Sequence, residues 1–163
     1  MMEQLEQYRE KKQPLLDDML RFITFEKNYE QDIVAMMSAY LKAEPAERPE
    51  ILGNLMQCVR GEDYPDPHLG SHPYTKADVA ECGRILDGYI DRLIVYRQNT
   101  GEISRCMEQV TKEINALHER TGQHLFDTWR REELCAFIEG AAKAAGLESP
   151  EQQDDMTFQW RMW

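Results

Sequence analysis

Along the first forty residues, apolar positions recur at alternating steps of three and four. Leu5, Tyr8, Leu15, Met19, Phe22, Tyr29, Ile33, Met36 and Tyr40 keep this register, with Lys12 and Glu26 as its polar members. The spacing predicts amphipathic helix. Proline is tolerated in a first turn but removes an interior helical hydrogen bond, so Pro14 divides the pattern into a short helix ending near Lys12 and a long helix from Pro14 to Ala43. A single kinked helix is the alternative. A second row, Leu16, Leu20, Ile23, Val34, Met37 and Leu41, widens the stripe beyond a two-stranded seam, as packing in a bundle requires.

Glu44-Pro45 stops this stretch, and Pro49 opens a shorter helix through Ile51, Leu52, Leu55, Met56 and Val59 that Gly61 ends. Three prolines and two glycines make 61–74 an irregular loop. Thr75 and Asp78 have the spacing of a capping box, with Asp in place of Glu or Gln. The helix they start is apolar on two faces, Val79, Cys82, Leu86, Tyr89, Leu93 and Tyr96 flanked by Ile85, Ile90 and Ile94, and is therefore central. The short connector 98–101 turns the chain into an antiparallel helix carrying Ile103, Met107, Val110, Ile114 and Leu117. Asp127 or Thr128 caps a last helix through Leu134, Phe137, Ile138, Ala141, Ala142 and Ala145. Its small residues allow a neighbour to approach closely.

Beyond it the period changes: Met156, Phe158, Trp160 and Met162 alternate with Asp155, Thr157, Gln159 and Arg161, the pattern of a half-exposed strand. The other reading is an irregular tail docked on the bundle. The expected fold is thus all-α: a single-domain bundle of five to six helices over 1–154, with a long N-terminal helix, followed by an aromatic tail, 155–163, that either docks irregularly on the bundle or forms a short C-terminal strand.

Charge narrows the partners. The 163 residues hold 19 Lys and Arg against 30 Asp and Glu, a formal charge of −11 spread along the chain. Such a field repels phosphate backbones and anionic lipid and speeds the encounter with basic proteins. Nucleic acid and membrane are therefore disfavoured, and a basic protein is the favoured partner. No window approaches the roughly 18 apolar residues of a spanning helix. The first residues show neither part of a secretory signal, so the expected compartment is the cytoplasm. Cys58, Cys82, Cys106 and Cys135 lie too far apart for a redox or zinc motif and read as buried apolar residues.

Candidate chemistry is sparse. His68 and His72 share the loop with Glu62, Asp63 and Asp66. An i, i+4 histidine pair chelates metal only on a helix, however, and Pro67, Gly70 and Pro73 remove the helix. His118, near a helix C-terminus, reads as a ring favoured there by the macrodipole when protonated. Carboxylates one turn apart, Glu26 with Glu30, Asp78 with Glu81 and Asp87 with Asp91, have the spacing with which a bundle holds magnesium for nucleotide hydrolysis. Glu26, interrupting the apolar stripe, is the strongest of these. The doubled Glu132-Glu133 lacks the third acid within a turn that such enzymes carry. No GxSxG elbow, phosphate loop, dinucleotide fingerprint or HExxH is present, and no cofactor is implied.

The residues together point first to a non-enzymatic acidic protein-binding module, in its most concrete form an immunity- or antitoxin-type inhibitor of a basic protein. Its expected contacts are Asp63, Tyr64, Asp66 and Tyr74 in the loop and Trp160 and Trp163 in the tail, because tyrosines and tryptophans anchor interfaces and carboxylates meet Lys or Arg. Two alternatives stand beside it. One is a divalent-metal-dependent all-α hydrolase of nucleotides that depends on Glu26 or Asp87, with His68 and His72 a separate candidate metal pair. The other is a structural homo-oligomer, most simply a homodimer joined through its tails.

Overall fold

Proline, caps and side-chain oxygens divide the helical pattern more finely than its apolar spacing does. The computed structural model describes residues 2–148 and 155–163. Its helices are α1 (Met2–Glu6), α2 (Tyr8–Lys11), α3 (Gln13–Phe22), α4 (Tyr29–Lys42), α5 (Arg48–Val59), α6 (Lys76–Val95), α7 (Thr100–Arg120) and α8 (Thr128–Ala144), with a 3-10 turn at Leu69–Ser71. The fold is all-α, and six of these helices have ten residues or more. No helix among the described residues is long and apolar enough to cross a membrane.

Pro14 stands in the first turn of α3, where its missing N–H has no helical partner to lose. The long helix expected from Pro14 to Ala43 is interrupted: α3 stops at Phe22, and 24–28 are not helical. The reason is local. Asn28 Oδ1 accepts from the Gln31 amide at 3.2 Å, and Asp32 Oδ2 accepts from the Asn28 amide at 2.9 Å. This reciprocal cap starts a new helix instead of continuing the old one.

The chain divides into two compact units, Thr24–His72 and the described residues of Met1–Ile23 with Pro73–Trp163. In the larger unit α6 is central, packing on α1, α2, α3, α7 and α8. Leu86, Tyr89, Ile90 and Leu93 from α6 are fully buried with Ile103, Val110 and Ile114 from α7 and Leu134 and Ile138 from α8. The Tyr89 hydroxyl donates to the Ile138 carbonyl at 2.9 Å, which satisfies the one polar atom this ring brings into the core. A Cβ on Gly140 would lie 2.5 Å from the Tyr8 hydroxyl, so the small residues of α8 make room for a tyrosine of α2. Arg130, 5% exposed, ties the start of α8 to Asp18 of α3 at 2.7 Å and to the Leu125 carbonyl at 3.1 Å.

Of the two readings of the tail, the irregular docked one is formed and the strand is not: 156–160 are turns. Asp155 Oδ1 accepts from the Thr157 amide at 2.9 Å and from its hydroxyl at 2.7 Å, and the Thr157 carbonyl accepts from the amides of Trp160 and Arg161. The side chain of Asn115 then donates to the Trp160 carbonyl at 2.7 Å and accepts from the Met162 amide at 3.0 Å. Backbone groups satisfied in this way need no strand partner. The alternating pattern becomes a docked turn, with Met156 buried and Phe158 and Met162 facing solvent.

Candidate functional site

The unit Thr24–His72 is a helical hairpin, α4 on α5, crossed by the loop after α5. Its apolar centre is small, Met36, Cys58 and Tyr64, with Phe25, Ile33 and Leu55 packed against it. A polar centre stands beside it. Asp32, 1% exposed, accepts from the Tyr64 hydroxyl at 2.8 Å and pairs with His68 Nε2 at 3.1 Å, in addition to its bond from Asn28. Burial alone would raise its pKa, but the hydrogen bonds from Tyr64, Asn28 and His68 outweigh burial and hold the carboxyl below its ordinary 3.8. Burial, reinforced by Asp32, pushes the Tyr64 hydroxyl up.

The same loop is fastened a second time. Asp66 Oδ1 accepts from the His68 amide at 2.7 Å and Oδ2 pairs with His72 Nε2 at 3.1 Å. The side chain of Asp66 is only 12% exposed. Beside it opens a cleft of about 100 Å³ between α4, α5 and 65–67. Met36, Ala39, Ile51, Pro65 and Pro67 form its apolar walls, and Asn54 and Asp66 are its polar members.

On α4, Val34, Met37 and Leu41 follow one another at steps of three and four, and on α5, Leu52, Met56 and Val59 at steps of four and three. All six are 41–75% exposed. Each helix therefore carries an apolar row in solvent. The unit that bears them has nine Asp and Glu against four Lys and Arg, a formal charge of −5.

This geometry redistributes the residues expected to meet a partner. Asp63 is exposed and pairs with Lys27, whose ammonium lowers its pKa. Tyr64 is buried inside the hairpin unit instead of displayed, because its hydroxyl serves Asp32. Tyr74 belongs to the core of the other unit, 2% exposed, with its hydroxyl donating to the Met19 carbonyl at 2.8 Å. Trp160 and Trp163 are half-buried against that same core, Trp163 on Phe126 at 5.6 Å between ring centres, and not free anchors.

His68 and His72 address separate carboxylates, Asp32 and Asp66, and do not converge. Glu26 is exposed in the segment between α3 and α4 and does not share a helix with Glu30. Asp87 faces Lys12 at 2.7 Å and Arg9 at 3.7 Å, Asp91 faces Arg9 at 2.6 Å, and Glu81 and Asp78 face Arg120 at 2.6 and 3.6 Å. Each of these carboxylates meets a cation of the chain itself. Among the described residues no three His, Cys, Asp or Glu side chains come together as metal ligands.

His118 is 6% exposed against Phe126, and burial, with His124 nearby, lowers its pKa. Cys58, Cys82 and Cys106 are buried free thiols and Cys135 is half-buried. Burial pushes the Cys82 thiol up to about 12.

The sequence reading missed Asp32 and misplaced the α4 half of the second apolar row, Val34, Met37 and Leu41, while Leu16 and Ile23 of its α3 half are buried. Asp32 carried a usable signal, an acid four residues after a capping Asn. Val34, Met37 and Leu41 were visible as a row, but nothing in their spacing distinguishes a buried face from one left open. No protein-family model, curated protein or solved structure matches this chain.

Proposed function

We propose that this protein is an acidic protein-binding module that captures a basic protein through the α4–α5 hairpin, most concretely as an inhibitor of the immunity or antitoxin type. One observation carries the reading: two helices in a unit of charge −5 hold six large apolar side chains in solvent at helical spacing. Covering such rows supplies affinity, at roughly 25 cal/mol for each Å² of apolar surface removed from water. The surrounding carboxylates supply choice of partner and speed of encounter. The contacts move accordingly, from the tyrosines of the loop to Val34, Met37, Leu41, Leu52, Met56 and Val59, with Asp63 at the margin.

The test is capture by the tagged protein from its native lysate at low and then moderate salt, run beside a Val34→Ser, Leu41→Ser, Met56→Ser variant and a Val95→Ser control. The reading expects one stoichiometric basic protein, released by salt, retained by the control and lost by the triple variant. Exposed-site changes of this kind leave stability within about 0.5 kcal/mol each, so a folded variant is expected. Recovery of the chain alone, or capture that the triple variant leaves unchanged, overturns the reading.

A further inference from the structure

We infer that the cleft beside Asp66 is the seat of a lysine or arginine side chain of the captured protein, an inference that rests on the capture reading and names what anchors it. The two polar members of the cleft have bonding capacity to spare. Asp66 is a mostly buried carboxylate whose partners, among the described residues, are a backbone amide and the ring of His72, and neither is a Lys or Arg. Each of its oxygens has one bond and a second lone pair free. The side-chain amide of Asn54, half-buried at the rim, makes no hydrogen bond among the described residues. Asp32, by comparison, takes three donors, and Asp87 meets Arg9 and Lys12.

The walls define the rest of the occupant. Met36, Ala39, Ile51 and the rings of Pro65 and Pro67 are apolar and favour a hydrocarbon stem over a second polar group. At about 100 Å³ the space is several times what one water needs and too small for a nucleotide or a helix. An apolar stem ending in a cation is what Lys and Arg share, and a carboxylate with an amide oxygen beside it matches that cation. An acidic occupant would place its charge against Asp66, and a purely apolar one would leave Asp66 and Asn54 without their water.

The probes are acetyl-arginine-amide and acetyl-lysine-amide, with acetyl-citrulline-amide as the neutral isostere, titrated into the full chain and followed by NMR at the Asn54 side-chain amide and the Ile51 and Met36 methyls. Saturable shifts at these three residues with at least one cationic probe, at least tenfold weaker with citrulline, support the seat. Asp66→Asn is expected to weaken that binding at least tenfold. Because Asp66 also fastens the loop, Ala39→Leu provides a second variant that fills the cleft and leaves those bonds in place; it is expected to abolish the shifts while the remaining spectrum stays folded. No saturable shift with either cationic probe, equal binding of citrulline, or shifts that survive both variants overturn the inference. With a captured partner in hand, a tenfold loss of its affinity in Ala39→Leu supports the seat. Unchanged affinity overturns the seat while capture, and so the function proposed above, stands. Failure of capture overturns that function, and the amide titration still decides the cleft.

Discussion

Asp32 takes donors from Tyr64, Asn28 and His68 at 2.8, 2.9 and 3.1 Å in a site that water barely reaches. All three bonds favour the ionised carboxylate, which is why its folded pKa lies below 3.8 despite burial. Its stabilising contribution is therefore complete above the unfolded value and lost as pH falls through the folded one. Asp32→Asn keeps the shape and removes the charge. We expect it to cost about 1–3 kcal/mol at pH 7, with the gap closing below pH 4, in thermal melts run from pH 7 to 2.5. A gap that stays constant with pH would show that shape and not charge was lost. His118 works in a higher window. Its folded pKa is below 6.5, so the unfolded chain binds the extra proton and stability falls as pH drops from 6.5 toward the folded value. His118→Phe keeps the ring against Phe126 and removes both the titration and a buried Nδ1 that has no hydrogen-bond partner among the described residues. Its melting temperature should hold between pH 6.5 and 5 where the parent's declines, and equal declines would place the titration elsewhere.

At the scale of elements, caps decide where helices begin. Thr75 Oγ1 accepts from the Asp78 amide at 3.3 Å, and Asp78 Oδ2 accepts from the Thr75 amide at 2.8 Å, which closes the box at the head of α6. Thr75→Ala should cost about 1 kcal/mol, and Thr75→Ser, which keeps both the acceptor and the hydroxyl that donates to Asp78, should recover most of it in denaturant melts. Signals of this local kind are what the sequence displays: Pro14, the Thr75 box and Asp127 each mark a helix start that the structure keeps. Periodicity served equally well for α6 and α7, where two packed faces leave little choice. It misled wherever apolar spacing ran across a polar interruption. Phe22, Glu26 and Tyr29 stay in register through a segment that Asn28 and Asp32 cut. Met156 to Met162 alternate like a strand although Asp155, Thr157 and Asn115 satisfy the backbone locally. The candidate site was legible in residue type and not in direction. Asp66 was singled out, but only the fold shows that Tyr64 and Tyr74 turn inward and that the row through Leu41 turns outward.

For the molecule as a whole, a charge of −11 sets a preference among partners that the apolar rows alone would leave open. Two copies brought together would oppose like charges, whereas a basic protein would neutralise them. The tail bears on the same choice. Pairing of tails between copies would have to release Met156 from the core, both hydrogen bonds of Asn115, and the contact of Trp163 with Phe126. It would also break the bonds from Arg161 to Asp155 at 2.8 Å and to Cys135 at 3.1 Å. Burial of the methionine and the tryptophan face is worth about 1.5–3 kcal/mol each, so these contacts favour docking of the tail on its own unit. Deletion of 155–163 should then lower stability by about 3–6 kcal/mol and leave the mass per particle, measured by sedimentation, equal to that of one chain both before and after. A particle that halves in mass when the tail is removed would show instead that the tail joins copies, with Trp160 and Trp163 at the junction.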